Sequence, residues 1–172
     1  MTVDRLCERF DLSLRKPFFR SYFYGQVEVE EERLCLAKPV TFMNRSGEVI
    51  VDVLARARLS VMSLVVVCDN LDLPAGVCRL KRSGGSAGHH GLESIIAHLG
   101  DSSFYCLYIG IGRPADRDVI AHVLGDPSVG ERTLYTAAIE RAAQGILTLL
   151  TRSPSEAMNE LNQRISPTRP HS

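Results

Sequence analysis

The stretch that decides the fold is Ser63-Leu64-Val65-Val66-Val67-Cys68-Asp69-Asn70-Leu71-Asp72-Leu73-Pro74. Its first half is a continuous apolar run, which suits a strand buried on both faces of a parallel sheet. At Asp69 the character changes, and the acids together with Pro74 mark a strand-to-loop junction. In open α/β sheets ligands gather where strands end and loops begin, so Asp69 is the first candidate for chemistry.

Upstream of that run, Val3, Leu6, Cys7 and Phe10 fall at helical spacing and give one apolar face to a short helix. Phe18 to Val29 alternates loosely and meets the acidic run Glu28 to Glu32, after which Leu34 to Ala37 follows. A hairpin with a charged turn is expected there. Ser46 is placed to cap a helix whose inner face is Val49, Ile50, Val53 and Leu54. Downstream, Val77 to Lys81 and Phe104 to Ile111 read as strands. Leu92 to Leu99, Val119 to Leu124, Glu131 to Leu150 and Ser155 to Ile165, the last capped by Ser155, read as helices. Strands and helices alternate without repeat or linker, which predicts one α/β domain over residues 1–165 and a flexible C-terminal tail over 166–172.

A chain of 172 residues is long enough for one core and short for two. Its 45% hydrophobic and 23% charged content excludes a disordered or collagen-like chain. Lys plus Arg and Asp plus Glu both number 20, so any nucleic-acid contact must rest on local charge. No apolar run reaches the ~18 residues of a membrane helix, and Met1 to Arg5 lacks a signal-peptide pattern. The five cysteines have no C-x-x-C spacing and read as free thiols. A soluble cytoplasmic protein is expected.

Three segments carry residues that packing does not require. They are Lys38-Pro39-Val40-Thr41-Phe42-Met43-Asn44-Arg45-Ser46-Gly47, the stretch from Asp69 to Leu92, and Ile109-Gly110-Ile111-Gly112-Arg113-Pro114. The second offers a carboxylate, the bases Arg79, Lys81 and Arg82, and a glycine-rich loop before His89 and His90. Glycines let a backbone approach an anion closely, and the bases would meet RNA phosphates. A turn-rich surface loop with solvated charges is the plainer alternative. No Gly-Lys-Ser/Thr follows, so it is not a Walker loop, and Gly110-Ile111-Gly112 lacks the third glycine of a dinucleotide site. A metal site from Asp69, Asp72, His89 and His90 is disfavoured because adjacent histidines rarely face one ion. His98 and His122 read as structural histidines in helical stretches.

Together these segments resemble the bacterial-type peptidyl-tRNA hydrolase family. Lys38 to Gly47 is similar to its Lys-Pro-x-Thr-x-Met-Asn-x-Ser-Gly stretch, Asp72 to Leu92 to its Asp-Leu-Pro through Gly-His-Asn-Gly-Leu stretch, and Tyr108 to Pro114 to its Arg-Ile-Gly-Ile-Gly-Arg-Pro. The resemblance implies a mixed, mostly parallel sheet flanked by helices, and a monomer that needs no metal or other cofactor. It also implies hydrolysis of the ester between peptide and tRNA, which recycles tRNA from stalled translation. By the same resemblance Asp69 orients a base histidine and Asn44 holds substrate and water. Phe42 lines the site or packs in the core, and Arg79 and Lys81 face tRNA phosphates.

The departures are as informative. The family's Gly-x-Gly-Asn-Pro-Gly and Thr-Arg-His-Asn-x-Gly stretches, with its first strand and its base histidine, have no match in the chain. An internal start to the recorded sequence is therefore expected. His90 stands where the family has asparagine, and Glu93 and Tyr108 stand where it commonly has lysine and arginine. The last two changes are expected to remove positive charge from the RNA face. Three functions compete: a peptidyl-tRNA esterase, an RNA-binding relative without hydrolysis, and an enzyme that uses His89 or His90 as its base.

Overall fold

The computed structural model describes residues 1–82, 84–86, 88–114, 122–123 and 125–163. The expected tail over 166–172 and most of the expected helix from Val119 to Leu124 lie outside them. Helix α1 (Thr2–Arg9) buries Leu6 completely and packs on strand β2 and the long helix α4 (Val129–Thr151). Strands β1 (Tyr22–Val29) and β2 (Glu32–Pro39) pair antiparallel from Tyr22↔Pro39 to Val29↔Glu32. Glu30 and Glu31 close them with φ of 50° and 69°, the left-handed pair that a two-residue hairpin turn demands. Lys38 Nζ donates to Asp4 Oδ1 and ties the end of β2 to α1.

The second sheet is mixed, in the order β3 (Val65–Asn70), β5 (Tyr105–Gly110), β4 (Cys78–Arg82). Strand β5 runs parallel to β3 and antiparallel to β4, and Cys106, Leu107 and Tyr108 are buried at its centre. On one face Cys78, Leu80 and Leu107 meet Ala138, Ala142 and Leu161 of α4 and α5 (Pro154–Asn162). On the other, Cys106 and Tyr108 meet Phe104 and the apolar side of α3 (His90–Leu99), with Leu92 and Ile95. Each large apolar side chain so buried contributes about 1.5–3 kcal/mol. Tyr22, Val49 and Val53 form a smaller cluster between the hairpin and α2 (Gly47–Ala57).

Three expectations are corrected. The run taken as a strand buried on both faces begins only at Val65, after a 3₁₀ turn over Val61–Ser63, and all six residues of β3 are half-buried. The reason is position: β3 lies at the edge, and no strand pairs with its outer side among the described residues. Ser46 precedes α2 but does not cap it with its side chain; its hydroxyl donates to the Met43 carbonyl at 2.8 Å. The last helix is capped by Ser153 rather than Ser155, because Pro154 occupies its first turn and the Ser153 hydroxyl accepts from Glu156 N–H. None of the five cysteines is in a disulfide; Cys78 and Cys106 are buried and the rest are half-buried.

Candidate active site

The site is built where β3 ends. Asn70 is the last residue of the strand, and its Oδ1 accepts from the N–H groups of Asp72 and Leu73, which turns the chain sharply. That turn is stitched to the end of β5. Gly112 N–H donates to the Leu73 carbonyl and Ile111 N–H to the Asn70 carbonyl, each at 3.0 Å. A Cβ on Gly110 would lie 2.1 Å from the Pro74 carbonyl oxygen, so only glycine fits that crossing. Arg113 closes the outside with Nε and Nη2 at 2.8 and 2.7 Å from Asp72 Oδ1. The second and third motif segments are therefore one structure around the end of the sheet.

Asp69 looks from that end toward the start of α3. Its Oδ1 lies 3.7 Å from His89 Nε2, and the two side chains are 32% and 18% exposed. The imidazole beside it holds the Asp69 carboxyl below the ordinary carboxylate value of 3.8, against the burial that would raise it. His89 is also the N-cap of α3: its Nδ1 accepts from Leu92 N–H at 3.2 Å. A neutral ring with that lone pair engaged carries its hydrogen on Nε2, facing the carboxylate.

The first motif segment arrives through packing. The 3₁₀ turn Met43–Arg45, which contains Asn44, sits on the N-terminal end of α3. A Cβ on Gly91 would meet Met43 Cγ at 3.2 Å and His89 Cε1 at 2.9 Å, so the turn and the histidine share one small space. Gly47 N–H donates to Ser94 Oγ at 3.0 Å. A Cβ there would fall 2.0 Å from the Ser94 carbonyl oxygen. Asn44 is exposed on this turn, and Phe42, just before it, is 79% exposed, which removes core packing as its alternative role.

Other residues stand further off. His90 is 78% exposed and its Nδ1 lies 3.0 Å from Glu93 Oε2, so it faces solvent beside α3 and not Asp69. Arg79 and Lys81 are exposed on β4, two strands from β3 or about 10 Å across the sheet. Tyr108, expected on the RNA face, is instead 3% exposed, and Lys81 Nζ lies 5.2 Å from its ring centroid. The tyrosine thus supports a cation that stays at the surface. Glu93 is exposed, and His90 first, then Ser86, hold its carboxyl below the ordinary value. Sequence reasoning missed the Arg113–Asp72 fork and the Met43–Gly91 contact, which no spacing along the chain signals.

With that geometry in hand, likeness to known proteins is informative. The family model described as peptidyl-tRNA hydrolase matches residues 1–169. The peptidyl-tRNA hydrolase of Clostridium novyi is 32% identical over 160 residues, covering 93% of this chain and 85% of the relative. That of Acinetobacter baylyi is 39% identical over 163 residues, covering 93% and 83%. The crystal structure of the Acinetobacter baumannii peptidyl-tRNA hydrolase superposes with a TM-score of 0.86 at 32% identity, covering 94% of this chain and 82% of that one. A peptidyl-tRNA hydrolase crystallised with N-propanol superposes with the same TM-score at 31% identity. Motifs, topology and overall likeness agree, and the chain belongs to the bacterial-type peptidyl-tRNA hydrolase family.

Proposed function

We propose that this protein hydrolyses the ester linking a peptide to the 3′ ribose of tRNA, acting as a cytoplasmic monomer without a cofactor. The observation that carries the reading is the half-buried, ionised Asp69 at the end of β3, packed against the start of α3 beside the Asn44 turn. Ester hydrolysis near neutral pH needs an activated nucleophile; an imidazole is tuned to deprotonate water, and a carboxylate can orient the ring and stabilise its cation. Asp69 is the carboxylate in this scheme. Asn44, whose amide both donates and accepts, holds the water or the scissile ester. Phe42 offers its exposed ring to the terminal nucleotide, and His90 contacts the substrate beside it. Arg79 and Lys81 meet phosphates at the far side of the sheet.

One observation favours a second reading, binding of tRNA without hydrolysis. Among the described residues only His89 lies at Asp69, and its Nδ1 is engaged in capping α3. Its remaining nitrogen is buried and faces the carboxylate at 3.7 Å without a hydrogen bond, so His89 is placed beside Asp69 more readily than it is placed to take a proton from water. His98 and His122 point their rings at the carbonyls of Ser94 and Ile111.

The test is cleavage of N-acetyl-aminoacyl-tRNA, with and without added imidazole. Asp69→Asn is expected to slow cleavage about a hundredfold or more while tRNA affinity holds. Unblocked aminoacyl-tRNA is expected to survive. A wild-type rate in Asp69→Asn would sink the assigned role. Tight tRNA binding with no cleavage at any imidazole concentration would establish the second reading, and an unchanged rate in His89→Ala would exclude His89 as the base.

A further inference from the structure

We infer that the loop from Lys16 to Ser21 is a stacking platform for unpaired RNA bases, which rests on the reading that this chain binds tRNA. The loop is held rigidly at its base. Arg15 and Tyr24 exchange both backbone hydrogen bonds, at 2.9 and 2.8 Å, and Val40 N–H donates to the Ser21 carbonyl at 2.9 Å. Arg20 is paired with Asp52 of α2 at 3.3 Å. At the tip, Arg20 N–H donates to the Pro17 carbonyl at 3.1 Å, closing a four-residue turn. Phe19 occupies its third position with φ of 57°, while Phe18 keeps a negative φ. That pattern is a type II turn, whose third position favours glycine. A phenylalanine there strains the backbone and forces a large ring outward.

The result is an exposed aromatic pair. Phe18 and Phe19 are 85% and 91% exposed, with ring centroids 4.2 Å apart. Both rings are available to a partner, and burial in this fold does not account for either. The surroundings choose the partner. From Leu12 to Val27 there is no acidic residue. Arg15 and Lys16 are exposed and, among the described residues, without an ion pair across the loop, while Arg20 is exposed and shares its charge with Asp52 of α2. Aromatic rings set among cations are the pattern that holds single-stranded nucleic acid, since every base has a face to stack and every phosphate a charge to meet. The Val40–Ser21 bond also places the loop beside the strand end that leads through Val40, 49% exposed, to Phe42 and Asn44. Exposed apolar surface therefore runs from the loop toward the candidate site, where the unpaired 3′ end of a tRNA would lie.

The chain has no tryptophan, so Phe18→Trp installs a single reporter. Its fluorescence is expected to be quenched by a single-stranded RNA ending in CCA and to ignore a blunt RNA duplex. Phe18→Ala combined with Phe19→Gly, which relaxes the turn and should leave the thermal melt intact, is expected to weaken single-strand binding about ten- to a hundredfold. Unchanged binding in that double variant would overturn the proposal. So would a reporter that answers to an N-acetylated apolar peptide, to lipid vesicles or to protein concentration instead of RNA. Anisotropy of labelled tRNA separates the two readings: tRNA binding with a silent reporter discards the platform alone. Quenching by single strands without any tRNA binding keeps the platform and discards the tRNA reading.

Discussion

At the residue scale, two positions show how much depends on single atoms. Gly47 lets α2 and α3 approach until a Cβ would sit 2.0 Å from the Ser94 carbonyl oxygen and 2.6 Å from His98 Nδ1. Gly47→Ala must push the helices apart and carry the Asn44 turn away from His89. A loss of about 2–3 kcal/mol is expected in urea melts, with reduced cleavage or RNA binding. Asp4 makes a different point. Lys38 first, and the terminal amine, lower its carboxyl from 3.8 to about 2. A folded value below the unfolded one contributes stability above about pH 4 that is lost as pH falls toward 2. Because both side chains are nearly half exposed, the effect is at most about 1 kcal/mol. Asp4→Asn should thus be slightly less stable than the parent at pH 7 and equal to it near pH 2, as read by urea midpoints.

At the element scale, strand β3 is the informative case. The carbonyls of Leu64 and Asn70 accept from Tyr105 and Ile111, so the backbone of the even-numbered residues faces β5. The N–H groups of Val65 and Val67 then face the outer edge, where no strand pairs among the described residues. Hydrogen exchange should alternate along β3, with Val66 and Cys68 protected and Val65 and Val67 exchanging far faster. Equal protection at all four would mean that the outer edge is covered in solution. An edge strand ending in the candidate catalytic carboxylate also ties the chemistry to local stability, since fraying of β3 moves Asp69 relative to His89.

At the scale of the whole molecule, zero formal net charge conceals a local distribution. Arg79 and Lys81 project from β4, and the bases around Phe18 and Phe19 lie near the hairpin. An RNA bound to such patches should show strong salt dependence despite the neutral balance. Replacing Arg79 and Lys81 together by alanine is expected to lower the slope of log affinity against log salt by about 2. An unchanged slope would remove both residues from the phosphate contacts. Lys81→Ala also uncovers one face of Tyr108, so the melt of that variant should accompany the binding data.

Much of the fold was legible along the chain because helices and strands write their faces at short spacing. Leu6 in α1, Val49 and Val53 in α2, and the apolar centre of β5 declared themselves by period and hydrophobicity. The charged hairpin turn was legible as well, and so were the three motif segments and the place of Asp69 at the end of an apolar run. Caps were less so: Ser46 and Ser153 have similar sequence settings, and only backbone geometry decides which hydroxyl reaches an amide. The exposure of Phe42, the burial of Tyr108 and the edge position of β3 depend on strand order and on which layers meet. The same is true of the pairing of Asp69 with His89, twenty residues apart in sequence, and of the Asn44 turn seated on α3. By itself the sequence determined the local elements and the chemical inventory, whose causes lie within a few residues. Only the tertiary structure decided which groups face one another, because that follows from packing between segments that carry no mutual signal along the chain.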